Sequence, residues 1–495
     1  MKALLVYPEF PDTFWGFKHA LPFIKKQAAF PPLGLATVAA MLPKAWNLRL
    51  VDLNIKKVSQ EELAWADYVF VGAMTIQRDS ARTVIQRAKE AGTKVVAGGP
   101  LFTNEHESFL DDPVDHFVLN EAEITLPQFL ADVEGGNPKR VYQSTEFADV
   151  KLTPVPRWNL IDLETYDSMS VQWSRGCPYQ CEFCDVTKLF GHRPRTKTSE
   201  QVITELETLW NAGWQGKIFF VDDNFIGNKK TLKEDLLPAL IHWQQTKRHR
   251  VPFSTQASIN LAQDPELVQM MVDAGFGMVF IGIETTDEAS LLAAGKRQNT
   301  RRNLAKDVDA IQRAGLEVRA GFIVGFDNDT LDIFQRLIEF ITESKIVVAM
   351  VGMLNAPHGT ALWNRLKKAG RLRGDISGDN VDGTTNIVPL MDMKLLQEGH
   401  RLILRRIYSP PQYYKRMREF LKIYRRSKAH PPIGPQHFLA FFRAGWRLGI
   451  LDVKGAVHYW FTLAWTLAHK PRFFPLAVGL AIQGYHFRRI ADGIK

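Results

Sequence analysis

The sequence predicts an α/β chain built from two successive strand–helix units, the first a doubly wound parallel sheet, followed by a helical C-terminal region. Three observations carry that expectation. Short apolar runs alternate with stretches of helical period from Ala3 to Leu354. All three cysteines of the 495-residue chain lie between Cys177 and Cys184, where the second unit begins. Charge is also uneven: from His400 to Lys495, 18 Lys and Arg face three Asp and Glu, although the whole chain carries only +9. A hydrophobic content of 45% with 23% charged residues is that of a globular chain long enough for two or three cores. Clustered cysteines leave none for structural disulfides elsewhere, which suits a reducing cytoplasm. The N-terminal apolar run, Ala3–Tyr7, is too short for a secretory signal and reads as a first strand.

The first unit, 1–137, has strand candidates at Ala3–Tyr7, Leu48–Asp52, Tyr68–Ala73, Lys94–Ala97 and His116–Leu119. Helical spacing appears at Gly34–Leu42, Ser80–Ala91 and Ile124–Val133. Ligands of such sheets sit at the carboxyl ends of the strands, which brings Asp52, Asn54, Thr75, Gly98 and Gly99 to the mouth. No G-x-G-x-x-G follows the first strand, so a dinucleotide is not expected. Residues 138–168 contain Pro138, Pro154 and Pro156 without a clean period and read as a linker.

The second unit, 169–365, opens on Trp173-Ser174-Arg175-Gly176-Cys177-Pro178-Tyr179-Gln180-Cys181-Glu182-Phe183-Cys184. Three thiols at C-x3-C-x2-C are one short of the usual four-cysteine iron–sulfur set, which leaves one iron open to a small molecule. The alternatives are three ordinary buried cysteines or a zinc site completed by His192. The stretch resembles the signature of the radical S-adenosylmethionine (SAM) superfamily, C-x3-C-x-aromatic-C, with Phe183 in the aromatic position. The resemblance implies that Cys177, Cys181 and Cys184 hold a [4Fe–4S] cluster and that SAM binds its open iron. One electron, from a donor such as a flavodoxin or ferredoxin, then cleaves SAM to a 5′-deoxyadenosyl radical.

Six further strand candidates, Val171–Ser174, Lys217–Val221, Phe253–Ala257, Met278–Ile283, Val318–Val324 and Val347–Leu354, alternate with helices. They match the incomplete barrel of that superfamily. Its chemistry gathers at the strand ends, here Asp222, Asp223, Gln256, Glu284 and Gly325. Gly282-Ile283-Glu284-Thr285 and Gly321-Phe322-Ile323-Val324-Gly325 resemble SAM-binding strand motifs, which implies SAM contacts for these residues and Phe183. Where the family continues Phe-Pro-Gly-Glu, this chain has Phe326-Asp327-Asn328-Asp329, so Asp329 is read as a helix cap. His358, in a turn, is read as inert.

Five strand–helix units ahead of this core resemble the cobalamin-binding domain of the cobalamin-dependent radical SAM class. The resemblance rests on Pro31-Pro32-Leu33-Gly34, Val51-Asp52-Leu53-Asn54, Gly98-Gly99-Pro100 and Glu121-Ala122-Glu123-Ile124-Thr125. It implies cobalamin at Asp52, Asn54, Thr75, Gly98 and Gly99. The D-x-H-x-x-G that supplies a histidine to cobalt is absent.

Residues 366–495 are helical, basic and aromatic. No uncharged run there approaches the roughly 20 residues of a spanning helix. The aromatic residues either form a core that covers the barrel or, beside Arg443, Arg447, Lys454 and Arg472, form a face for anionic lipid. An RNA-binding tail ranks third, and nucleic acid is not the expected partner. The whole order resembles cobalamin-type radical SAM proteins related to the hopanoid methylases. It implies methylation of an unactivated carbon in a small-molecule or lipid substrate, by a cytoplasmic enzyme that is peripheral at the inner membrane face. Radical rearrangement or ring formation without methyl transfer is the enzymatic alternative, and a zinc-stabilised RNA-binding protein the non-enzymatic one.

Overall fold

The computed structural model describes residues 1–425, 429 and 434–494. Strand β1 (Lys2–Tyr7) is buried from Ala3 to Val6 on both faces, so it must be central and covered by helices above and below. Around it run β2 (Asn47–Asp52), β3 (Tyr68–Gly72), β4 (Lys94–Gly98), β5 (His116–Val118) and β6 (Val141–Tyr142), in the order β2-β1-β3-β4-β5-β6 and all parallel. Side-chain alternation divides the sheet between two cores. Leu4, Val6, Val69 and Val71 face one core, and Ala3, Leu5, Tyr68 and Phe70 face the other.

The stretch expected to be linker contributes β6, whose Tyr142 packs on Phe129 and donates its hydroxyl to Asp132 at 2.9 Å. It then makes three short turns that bury Trp158 and Tyr166. The Tyr166 hydroxyl donates to Asp52 at 3.0 Å, so this segment is packed against the first sheet.

The second sheet consists of β7 (Ser168–Val171), β10 (Lys217–Phe220), β11 (Phe253–Gln256), β12 (Phe276–Glu284), β13 (Glu317–Val324) and β14 (Ala349–Met353). It is a parallel, open barrel in the order β14-β13-β12-β11-β10-β7. The first of these strands ends at Val171 and not at Ser174. Trp173 and Ser174 leave the sheet because the fully buried Asp222 carboxylate captures both of their backbone N–H groups. Ser174–Arg175 then forms β8, which pairs antiparallel with β9 (Arg195–Thr196).

Helices of the C-terminal region close the barrel along β14. Tyr408 bonds both Ala349 N and Ala349 O through its hydroxyl, His400 Nε2 lies 2.9 Å from Val351 O, and Arg416 donates to Val347 O. The last helix, Phe474–Gly493, stacks Phe487 on Phe14 at 4.2 Å, which ties the N-terminal loop to the tail. No described helix is long and apolar enough to cross a membrane.

Candidate functional site

Between β8 and β9 lies the cysteine loop, and glycine makes its turn feasible. Gly176 has φ +96°, and a Cβ there would lie 2.9 Å from each of three carbonyl oxygens, of Phe190, Gly191 and Arg193. The chain continues through Cys177 N donating to Gly191 O, Glu182 N to Ala294 O and Cys184 N to Cys181 O. All three thiols are free and partly buried. The Tyr179 and Val186 amides donate to the Cys177 and Cys184 sulfurs, and burial pushes both thiols up from their ordinary pKa. Asn224 and Gln298 side-chain amides stand 4.0 and 3.8 Å from the Cys177 and Cys181 sulfurs. Such N–H groups around the sulfurs suit cluster thiolates, whose potential they tune. Among the described residues no three His, Cys, Asp or Glu side chains gather closely enough to hold one metal ion, and His192 is exposed. A zinc ion would need the three thiolates and His192 around one point, whereas in a cluster each thiolate takes a different iron.

Two acidic residues expected at the SAM site have different surroundings. Asp222 is committed to the protein, accepting from the Trp173 and Ser174 amides and from the Ser174 hydroxyl at 2.5 Å. Asp223 accepts from the Gly176 amide, and burial, with Asp222 and Asp185 nearby, pushes its pKa up to about 7. Gln256 ends β11 half-buried. Glu284 ends β12 in the left-handed region, φ +67°, after a register shift between Gly282 and Glu284. That local strain turns its carboxylate inward over Gly282 to Lys296, with Nζ 2.5 Å from Oε1. Lys296 also lies 5.9 Å from the Phe183 ring centroid. Burial opposes its charge, but Glu284 and the nearby Cys181 hold it protonated. Gly325 (φ +98°) and Phe326 donate their amides to Asp329. Asp329 therefore caps that turn, while the next helix begins later, at Ile333. Phe183 packs edge-on against Phe326. His358 is exposed, and its ring packs on Trp363.

Beneath this mouth the inward face of the barrel is mixed, with Phe, Met and Gly beside Ser254, Gln256 and an Arg319 paired with Glu317 at 2.8 Å. Side-by-side rows run Phe219–Ser254–Met278, then Gln256–Phe280–Arg319, then Gly282–Gly321–Met350. Nearly all are half-buried, whereas the alternate residues on the same strands are sealed under helices. The N-terminal loop adds Trp15, edge-on to Phe280 at 5.2 Å, and Phe30 against Phe219 at 5.3 Å.

At the mouth of the first sheet, Asp52 and Asn54 form part of the scaffold. Asp52 accepts from Asn54 N, Asn54 Nδ2 and Tyr166, and Asn54 Oδ1 accepts from Phe10 N. Gln77 bridges to Pro8 O. What stays partly open is a ledge at Thr75, Gly98 and Gly99. A Cβ would meet Val118 O at 2.8 Å from Gly98 and Ala73 O at 3.1 Å from Gly99, so the ledge is bare backbone. Across from it the 370–386 loop leans in, with Gly378 (φ +81°) against Ile76 and Ile376 O accepting from Arg78.

The two mouths are clamped together. Arg175, two residues before Cys177, pairs with Glu121 at 2.9 Å and Glu123 at 2.8 Å, and Arg195 pairs with Glu121 at 2.9 Å. Both carboxylates are nearly inaccessible. Burial alone would raise the Glu123 pKa, but the bonds and charge of Arg175 outweigh it and hold Glu123 at about 2. Asn104 of the first unit adds a bond to Asp185, next to Cys184. Lys296, Arg175 and Arg195 were not singled out from sequence, since nothing in their spacing indicates their partners.

Comparisons with known proteins cover most of the chain. Residues 24–130 match the B12 binding domain, 171–341 the radical SAM superfamily, and 360–495 a domain of unknown function, DUF4070. An uncharacterized methyltransferase of Synechocystis sp. is 40% identical over 503 aligned positions, covering 100% of this chain and 93% of that protein. The hopanoid C-2 methylase of Rhodopseudomonas palustris is 38% identical over 387, covering 77% of this chain and 73% of the methylase. Among solved structures, the radical SAM methyltransferase TsrM of Kitasatospora setae, with cobalamin and a [4Fe–4S] cluster bound, has a TM-score of 0.60 at 14% identity, covering 98% of this chain and 99% of TsrM.

Proposed function

Because this chain belongs to the B12-binding radical SAM methyltransferases related to the hopanoid C-2 methylase, we propose that it methylates an unactivated carbon of a polycyclic membrane lipid. The family's cofactors are a [4Fe–4S] cluster, SAM and cobalamin. When bound, they supply a 5′-deoxyadenosyl radical and a methyl group for the substrate carbon. Cys177, Cys181 and Cys184 hold the cluster. Lys296, kept charged by Glu284, offsets the negative charge gathered at the thiolates. Asp223 and Gln256, rather than the fully engaged Asp222, face SAM together with Phe183 and Gly325. Thr75, Gly98 and Gly99 carry the corrin, and Asp52 and Asn54 keep that ledge in shape. The Arg175 clamp holds the two mouths in register, since productive geometry is the main contribution a protein makes to radical chemistry. A small redox carrier delivers the electron.

The lipid reading is supported chiefly by the apolar and aromatic side of the lumen, Phe219, Met278, Phe280, Met350, Trp15 and Phe30, which stands beside the polar Ser254, Gln256 and Arg319. A polycyclic substrate would bury its apolar surface against that side and place any polar group toward Gln256 or Arg319. Ser254→Phe, at a half-buried lumen position, tests it. With a hopanoid in detergent as substrate, the variant should lose methylated product while still releasing 5′-deoxyadenosine from SAM. Unchanged product would remove the lumen from the substrate path.

A further inference from the structure

Among the described residues, 11 of the 21 exposed large hydrophobic side chains fall between Phe438 and Leu467. That segment is a helical hairpin, made of Pro435–Trp446 with its extension Arg447–Leu451, a turn, and Ala456–His469. Each arm has a buried face and an apolar outer one. Ala440, Ala444 and Leu448 pack inward from the first arm, and Tyr459, Leu463 and Thr466 from the second. Phe442, Trp446 and Ile450 point outward at four-residue spacing, and Val457, Phe461 and Leu467 share the outer face of the other arm. The Trp460 ring rests on Gly445 and Gly449, donates to Gly449 O and remains 44% exposed, so it joins the two stripes. Val453, at the tip, is 84% exposed.

Charge on this element has one sign. Arg443, Arg447, Lys454, Lys470 and Arg472 lie on or beside the hairpin, and its one acidic residue, Asp452, is paired with Arg488. Among the described residues Arg443 and Arg447 bond neutral groups, Phe23 O and the Tyr485 hydroxyl, and pair with no carboxylate. Self-association through this face would set these cations against their copies. Monomeric proteins rarely leave so concentrated an apolar face uncovered.

We propose that this hairpin, in a region whose family has no assigned function, docks the enzyme on an anionic bilayer. The exposed rings enter the headgroup boundary and the Arg and Lys side chains stay at the surface. Neither the first arm, 12 residues with a five-residue extension, nor the second, of 14, is long and apolar enough to span. The hairpin also grips the loop that lines the barrel, because Arg443 donates to Phe23 O and the same loop carries Trp15 and Phe30 into the lumen. The docking inference rests on the lipid reading for its purpose but not for its evidence.

The test is flotation of the reconstituted full chain with phosphatidylglycerol-containing or pure phosphatidylcholine vesicles, at low and high salt. Binding should be about tenfold or more tighter to the anionic vesicles and weaken with salt. Phe442→Ser/Trp446→Ser/Phe461→Ser should reduce partitioning about 100-fold with unchanged cluster absorbance and sedimentation. If that variant misfolds, Val453→Ser/Val457→Ser provides the same comparison at the tip. Failure of the full chain to bind anionic vesicles at low salt would overturn the proposal. So would equal binding by folded variants, or a dimer that these substitutions dissociate. Vesicle binding without methylation of any lipid would leave docking intact and remove the lipid-substrate reading.

Discussion

The clamp between Arg175 and the Glu121–Glu123 pair is the most quantitative claim. Replacing Arg175 by Ala leaves Glu123 nearly buried with the Thr153 hydroxyl and its own backbone amide as donors, while Glu121 keeps Arg195. Holding Glu123 at about 2 against an ordinary 4.5 corresponds to roughly 3 kcal/mol favouring its ionised form. Breaking a buried pair typically costs about 3–5 kcal/mol, so the two scales agree. The exposed pair Arg313–Asp309 is the control, for which about 0.5 kcal/mol is expected. Anaerobic thermal unfolding of the Arg175→Ala, Glu123→Ala and double variants would give the coupling by a mutant cycle. The account predicts a coupling of about 2–3 kcal/mol and a midpoint for Arg175→Ala lower by roughly 3–5 °C, since a chain of 495 residues unfolds with an entropy of about 1 kcal/mol per degree. Because the folded pKa of Glu123 is depressed, its contribution is fully present above about pH 4.5 and is lost as pH falls toward about 2. A coupling below about 0.5 kcal/mol would refute the clamp as a stabilising contact.

Two other substitutions follow from the cysteine loop. Gly176→Ala places a methyl group 2.9 Å from three carbonyl oxygens at a left-handed φ, so reconstituted protein should hold well under half the iron and sulfide of the parent. Full incorporation would show that the loop has another conformation. Lys296→Met should lower the midpoint potential of the reconstituted cluster, with Lys296→Arg restoring most of it, as followed by potentiometric EPR. No difference between Met and Arg would mean that the charge of Lys296 does not act on the cluster.

Much of this architecture was legible in the sequence because buried parallel strands are short and apolar. The five strands read in the first unit and the six in the barrel all stand in the structure, with shifted ends. Val171–Ser174 was displaced because Asp222 takes the Trp173 and Ser174 amides, a tertiary event that no local pattern records. β6 was missed because two residues carry no period. The grouping of Cys177, Cys181 and Cys184 was legible from their spacing, and the family resemblance supplied their proposed role as ligands. Asp52 and Asn54 were placed at the mouth correctly, yet their lone pairs and amides are used within the protein, which only contacts reveal. The aromatic tail was ambiguous for a physical reason: the same residue types serve both its core and its surface. Phe487 and Tyr459 are buried, while Phe442 and Trp446 are exposed, and the packing of the last helix and of the two hairpin arms separates them.

The central claim is methyl transfer from SAM to substrate carbon, with a second SAM consumed as the radical source. Reconstituted enzyme given cobalamin, a reductant, methyl-deuterated SAM and a hopanoid tests it in one mass-spectrometric experiment. The account predicts product carrying the labelled methyl group, with 5′-deoxyadenosine and S-adenosylhomocysteine formed in equal amounts. Formation of 5′-deoxyadenosine with unlabelled product and no S-adenosylhomocysteine would contradict it.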